Sequence, residues 1–264
     1  MREDGQIASV RKALTLLRTI SEAEKSISLQ MLAEKTGIPK STCVHLLNTL
    51  CECDFVRREE RRSGYILGPM SYYLSRNSRY QGRLIRVCHP VMKWLNRQTN
   101  QTVILSTLNN NDKYIVNHIT GERELVAKGN IILGHLYETA TGRALFSSLS
   151  MTDRKQFLQR NPLPTSGQWP EVYPPNEKLE KAMAEIRKKG WAVATFFDAE
   201  VGQWDTGVGA AFFEGSSVAG AIGLALPYYD SENCPQLERY VPYLLRAARE
   251  ITHRISFEDS QSSL

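Results

Sequence analysis

Residues 28 to 68 constrain the fold more tightly than any other stretch, because two short helix patterns and a basic hairpin follow one another with little slack. The run SLQMLAEKTGI opens at Ser28, whose hydroxyl can accept from the unpaired N–H groups of a helix start. It carries Leu29, Leu32 and Ala33 at helical spacing. Gly37 suits a left-handed helix end, and Pro39 suits the first turn of a new helix, where its missing N–H costs nothing. In that second helix Cys43, Leu46, Leu47 and Leu50 form an i, i+3, i+4, i+7 apolar stripe. Lys40, Ser41, Thr42, Val44, His45 and Asn48 are left facing solvent.

This order predicts a helix-turn-helix, whose second helix enters the major groove with its N-terminal residues on base edges. Phe55 to Arg58 then reads as a strand, Glu59 to Ser63 as a turn and Gly64 to Gly68 as a returning strand, so the helix pair carries a β-wing. Arg57, Arg58, Arg61 and Arg62 put positive charge where a wing meets phosphates or the minor groove. An ordinary helical hairpin followed by a solvated charge run is the plainer alternative. The winged form is favoured because caps, stripe and hairpin agree in order and spacing. Charge agrees too: residues 1–80 hold 13 Lys/Arg against 9 Asp/Glu, whereas 81–264 hold 20 against 19, so most of the net +5 lies in the segment expected to meet phosphates.

At 264 residues the chain favours two domains, and 42% hydrophobic with 23% charged residues is ordinary for a globular protein. No apolar run reaches the roughly 20 residues of a membrane span and the N-terminus lacks a secretory core, so a cytoplasmic protein with no membrane partner is expected. Five cysteines make no disulfide framework, and Cys43, His45, Cys51 and Cys53 fit no standard zinc spacing.

Val10, Ala13, Leu14, Leu17 and Ile20 predict a first amphipathic helix under the helix pair, giving a winged domain over 1–69. Residues 70–82 read as a connecting helix and the natural transmitter between domains. From 83 to 264, helical patterns at Leu84 to Leu95, Gly142 to Leu149, 152 to 160, Asn176 to Gly190 and Cys234 to Ile255 flank five strand candidates. These are Thr102 to Leu108, Tyr114 to Ile119, Trp191 to Phe197, Val208 to Phe213 and Val218 to Leu226, an α+β pattern that makes the whole chain mixed α/β. The five prolines between Asn161 and Pro175 predict a surface loop.

Several residues raise the question of catalysis. Glu138, Asp198, Glu200 and Asp205 are not fixed as a pair by anything in the sequence, His118 and His135 lack i, i+4 spacing, and neither G-x-S-x-G nor H-E-x-x-H occurs. No catalytic residue, metal or cofactor is expected. The rival class is an enzyme or a ligand-sensing module with a vestigial winged domain; it predicts turnover of a small molecule and no salt-sensitive DNA affinity.

Pro39-Lys40-Ser41-Thr42, Leu46-Leu47, Thr49-Leu50 and Tyr65-x-Leu67-Gly68, with Glu138-Thr139-Ala140-Thr141-Gly142-Arg143-Ala144-Leu145, Gly190-Trp191-Ala192-Val193 and Leu226-Pro227, resemble the IclR family of bacterial transcription regulators over nearly the whole chain. The resemblance implies a GAF-like effector-binding domain, dimers joined through the DNA-binding half, and often tetramers. It implies a DNA-contact set of Ser28, Lys40, Ser41, Thr42, Val44, His45, Asn48, Arg57, Arg58, Arg61, Arg62 and Tyr65. It also implies an effector pocket walled by Leu136, Thr139, Ala140 and Thr141 on one side and by Asp205, Gly207, Ala211, Gly223 and Ala225 on the other. The threonine hydroxyls and the N–H groups starting the Gly142 helix could hold a carboxylate. Equally, Thr139 could be only a cap, and the small residues only tight sheet packing.

Three departures limit what the resemblance carries. His45 stands where the family commonly has Arg, which removes a bidentate guanine contact. Gly223 and Ala225 stand where a relative has two serines that hydrogen-bond a small acid, and Ala199 to Trp204 looks inserted. The expected protein is therefore a ligand-responsive, DNA-binding regulator of a catabolic operon, most simply a repressor. Its partners are double-stranded operator DNA and a small organic acid, aromatic acid or sugar-derived metabolite.

Overall fold

The computed structural model describes residues 7–23, 25–59, 64–77, 82–109, 112–121, 136–198, 203–226 and 236–262, and falls into two compact units, 1–80 and 81–264. In the first, α1 (Ala8–Ser21), α2 (Leu29–Thr36) and α3 (Lys40–Glu52) surround one small core. Ser28 starts α2 by accepting from the Met31 N–H at 3.2 Å. Gly37 ends it at φ 67°, a backbone setting that strains any residue bearing a Cβ. Pro39 lies one place ahead of the expected position: it is the residue before α3, and its carbonyl accepts from the Cys43 N–H at 2.9 Å. The core gathers Leu16, Ile20, Ile27, Leu32, Ile38, Cys43, Leu47, Val56 and Tyr65.

The expected stripe on α1 is half wrong. Leu16 and Ile20 are buried with Ala13 and Leu17 beside them, whereas Val10 is 51% and Leu14 60% exposed. The helix carries two apolar faces, one at 13, 16, 17, 20 and another at 7, 10, 14, and both satisfy helical periodicity. Periodicity alone could not say which face meets the core.

The wing is an antiparallel pair, β1 (Val56–Glu59) and β2 (Gly64–Leu67), with Arg58 opposite Tyr65; its turn lies outside the described residues. Tyr65 also exchanges both backbone hydrogen bonds with Ile27, at 2.9 and 3.1 Å. The pair is thereby fastened to the segment before α2. A further helix, α4 (Pro69–Asn77), follows directly, with the Met70 N–H donating to the Asp54 carbonyl at 3.0 Å.

The second unit is built on a fully antiparallel five-stranded sheet. Helix α5 (Gly82–Thr99) leads into β3 (Thr102–Asn109) and β4 (Asp112–Ile119); α6 (Ala140–Ser148), α7 (Met151–Leu158) and α8 (Glu177–Lys189) follow. The strands β5 (Ala192–Asp198), β6 (Gln203–Glu214) and β7 (Ser217–Leu226) and the helix α9 (Gln236–Ser262) complete it. Strand order is β4-β3-β7-β6-β5. Alternation along each strand divides the side chains between two layers. Val103, Leu105, Val208, Phe212, Ile222 and Leu224 meet α5 and α9, while α6, α7 and α8 build a second core around Leu145, Phe146, Phe157 and Met183.

Two expectations change here. The loop from Asn161 to Pro175 is not purely surface: it carries a short helical turn, Pro170–Val172, and buries Trp169 and Val172 in the second core. Its prolines marked a break in regular structure, not exposure. The segment that looked inserted contributes Gln203 and Trp204 to the start of β6, and 199–202 lie outside the described residues. Among the described residues no helix is long and apolar enough to cross a membrane, and no cluster of three or more His, Cys, Asp or Glu side chains could hold a metal.

Candidate functional site

On α3 the inward stripe buries Cys43 and Leu47, which turns Lys40, Ser41, His45 and Asn48 fully outward and leaves Thr42 and Val44 half-buried. The start of α3 has no side-chain cap and no acidic residue in its first turn. Its leading N–H groups, with Lys40 beside them, therefore offer the positive helix end that attracts phosphate. Arg57 and Arg58 project from β1 and are exposed. Arg61 and Arg62 lie outside the described residues.

Two residues of the expected DNA-contact set are placed elsewhere. Ser28 is occupied as the cap of α2, its oxygen already accepting a backbone N–H. Tyr65, 9% exposed, belongs to the core of the first unit, so its ring packs inward and cannot lie along a groove. A tyrosine in a basic hairpin resembles a contact residue in sequence, but strand alternation turned this one to the interior.

In the second unit, α6 starts on the sheet. Thr139 accepts from the Gly142 N–H at 3.2 Å and so caps the helix. Ala140, Thr141 and Gly142 are buried. A Cβ on Gly209 would fall 2.6 Å from the Thr141 nitrogen, and one on Gly223 would fall 2.5 Å from Thr141 Cγ2. Both glycines are therefore tight packing beneath the helix, as the plainer of the two expectations held. Gly207 is different, because a Cβ there would sit 3.5 Å from Ala140 Cβ in ordinary contact. The Thr141 hydroxyl is not open: it accepts from Ser106 Oγ at 3.2 Å.

The structure thus brings Leu136, Thr139, Ala140 and Thr141 together with Gly207 and Gly223. Ala225 lies opposite Gly207 across the β6–β7 pairing and is half-buried. Asp205 lies on β6 opposite Phe196. Ala211 is displaced from this group, since four residues along a strand carry it roughly 13 Å away. It lines a separate cleft of about 830 Å³ with Ala144, Ile186, Phe213, Leu245 and Ala248.

Sequence patterns missed two charged residues that this geometry makes prominent. Arg143 is 3% exposed and donates to the carbonyls of Tyr137, Val193 and Gln168 at 2.8, 2.9 and 3.4 Å. Its guanidinium stacks 4.6 Å from the Trp169 ring and lies 3.7 Å from Glu171. Burial lowers its pKa to about 10, with Glu171 opposing that shift. One side chain thereby ties the segment before α6, strand β5 and the proline-rich loop together, and leaves no donor geometry directed at a ligand. The second residue is Lys113 on β4, only 3% exposed, whose pKa burial lowers to about 8. No sequence signal distinguished it from a solvated edge-strand lysine.

A helix-turn-helix with a basic wing, joined to an α+β unit whose helix N-terminus is seated on glycines, defines a DNA-binding protein with a second domain built for ligand response. Comparison with known proteins places it further. The IclR helix-turn-helix domain matches residues 9–60, and the C-terminal domain of the bacterial transcriptional regulator IclR matches 80–253. The chain belongs to the IclR family of DNA-binding transcription regulators. Its relatives are regulators and not enzymes. The acetate operon repressor of Salmonella typhimurium is 27% identical over 71% of this chain and 69% of its own length. Among solved structures, an IclR transcriptional regulator from Silicibacter sp. TM1040 superposes with a TM-score of 0.70 at 25% identity, over 94% of this chain and 96% of its own. An IclR homolog from Microbacterium hydrocarbonoxydans, complexed with 4-hydroxybenzoate, has a TM-score of 0.74 at 17% identity, over 94% and 99%.

Proposed function

We propose that this chain is a ligand-responsive repressor of a catabolic operon, acting in the cytoplasm, and that it binds a pseudo-palindromic operator as a dimer. The observation that carries the proposal is the outward face of α3. Lys40, Ser41, Thr42, Val44, His45 and Asn48 gather around an uncapped, acid-free helix start, next to Arg57 and Arg58 of the wing. Base reading falls to His45 and Asn48, while Lys40 and the wing arginines, Arg61 and Arg62 included, hold phosphates. One small winged helix buries too little surface for tight specific binding, so two copies are required.

The surface for pairing is the second apolar face of α1, where Ile7, Val10 and Leu14 are exposed, together with Tyr72, Tyr73 and Leu74 of α4. Exposed apolar residues gathered on helices in this way mark association sites. Pairing of dimers into tetramers would use the second unit. There the effector, a small organic, aromatic or sugar-derived acid, sits against Leu136, Thr139, Ala140, Gly207, Ala225 and Asp205. It shifts operator affinity only by binding one dimer arrangement better than the other.

Footprinting on the DNA flanking the gene tests this directly. Two related half-sites about one helical turn, or a multiple of it, apart are expected. A single unsymmetrical patch at saturating protein would sink the dimer, and salt-insensitive binding would sink the DNA-binding assignment itself.

A further inference from the structure

Lys113 is the most anomalous charge in the second unit. It stands on β4, the edge strand of the sheet, where lysines ordinarily point to water and discourage association of strand edges. Here it is 3% exposed. It makes no hydrogen bond or ion pair, and the lowering of its pKa has burial as its only cause. An unpaired ammonium taken out of water is costly, and proteins compensate such a group with a counter-ion or leave it deprotonated.

Register shows where the side chain lies. Lys113 is directly opposite Leu108, and cross-strand partners share a face of the sheet. Leu108 packs against the second core, the layer formed with α6. Two positions along β3, Ser106 donates to Thr141 of α6. Lys113 is the diagonal neighbour of Ser106, a separation of roughly 7–8 Å that a long side chain spans. The same core holds Tyr137, whose hydroxyl is buried with no hydrogen-bond partner. Its ring meets Phe146 and Phe157 edge-on at 5.1 and 6.3 Å. An unpaired cation and an unpaired phenol thus belong to one aromatic layer, on the sheet face that also carries the start of α6.

We infer that Lys113 is the cationic anchor of the effector site and that the effector is a monocarboxylic acid, whose carboxylate supplies the counter-ion this lysine lacks. The inference rests on the proposal that the second unit senses a small molecule, and narrows it from metabolites in general to organic anions. The acid forms a charge-assisted hydrogen bond with the ammonium, and Tyr137 donates to it where the acid reaches that far. Sugar-derived ligands qualify only as acids; neutral sugars and alcohols do not.

The test uses the full chain, wild type and Lys113→Met, the latter keeping length and apolar bulk while removing charge. Thermal shift is recorded with benzoate, 4-hydroxybenzoate, pyruvate and gluconate, each paired with its neutral amide and with chloride at equal ionic strength. At least one acid should stabilise wild type where its amide does not, and its affinity should fall at least ten-fold in the variant. No shift with any of the four acids, equal binding of acid and amide, or an unchanged response in Lys113→Met would each overturn the anchor. If the lysine only guards the strand edge, the variant should aggregate while its response to acids is unchanged, which also overturns it. Should Lys113→Met fail to fold, the acid-against-amide comparison on wild type decides alone. Operator binding without added acid is measured in parallel. Loss of the anchor with DNA binding intact refutes this inference only, whereas absence of DNA binding refutes the regulator and leaves the acid titration readable.

Discussion

The two units use their residues in opposite ways. In the first, the core is small and conventional, and the residues proposed to act lie outside it on α3 and β1. In the second, the residues that matter most are inside: Thr141 pressed onto Gly209 and Gly223, Arg143 among three carbonyls, and Lys113 under the sheet's α6 face. An outward functional set tolerates change without loss of fold. An inward one couples ligand response to stability, so substitutions should separate the units cleanly.

The largest separation is expected from Arg143→Met. The change strands the Tyr137, Val193 and Gln168 carbonyls and removes the cation from the Trp169 ring, and losing a buried multiply bonded charge costs about 3 to 5 kcal/mol. All four tryptophans lie beyond residue 80, so tryptophan fluorescence during urea unfolding reports the second unit alone. Its midpoint should fall markedly while amide exchange over 8–67 is unchanged. An unaltered midpoint would show that Arg143 is not the tie the geometry describes.

Lys113 gives a comparable effect with a pH signature. Its folded pKa, about 8, lies below the ordinary lysine value near 10.5. Below pH 8 the amine is protonated in both states, and the full cost of its burial is present. Between pH 8 and 10.5 the unfolded chain binds the extra proton, so stability rises with pH. Without added acid, Lys113→Met should therefore be more stable than wild type at pH 7, by up to about 3 kcal/mol, and the gap should close toward pH 10.5. A gap that widens with pH, or a variant less stable at pH 7, would mean that the ammonium has a partner in the folded protein.

This contrast also explains how much the sequence disclosed. Caps, turns and the stripe at Cys43 and Leu47 are local, and each was legible because a hydrogen bond or a helix period spans only a few residues. Failures came where a choice was tertiary. Both faces of α1 satisfied the same period, and only packing selected Leu16 over Leu14. Tyr65 read as a contact residue until its pairing with Ile27 turned it inward. In the second unit the α6 wall was placed correctly by resemblance. Whether Gly223 was pocket or packing depended on a contact with Thr141, 82 positions away. The anomaly of Lys113 depends on what covers β4, which no pattern of neighbours in sequence records.

On α3, where the comparison predicts little cost in stability, His45→Ala and Asn48→Ala should leave unfolding midpoints within experimental spread and change base preference. A lost base-edge contact corresponds to about 1 to 3 kcal/mol of discrimination at the position read, or roughly ten- to hundred-fold. Selection of binding sites from a randomised DNA pool reads this out. Retention of the wild-type preference by both variants would move base reading off this face.

The smallest effect is expected at the wing, and it differs in kind. Arg57 and Arg58 are exposed on β1, with Arg61 and Arg62 following in the hairpin sequence, and all four are assigned to phosphates. A phosphate contact releases counter-ions and carries no base information, so each Arg→Ala change that removes one should flatten the dependence of log affinity on log salt by about 0.9. Affinity should fall by a similar factor for operator and unrelated DNA alike, with the specificity ratio unchanged. Fluorescence anisotropy on both duplexes across a salt series measures slope and ratio together. A variant that alters the ratio but keeps the slope would place its arginine in a groove, and the boundary between reading and holding would then have to be drawn inside the wing.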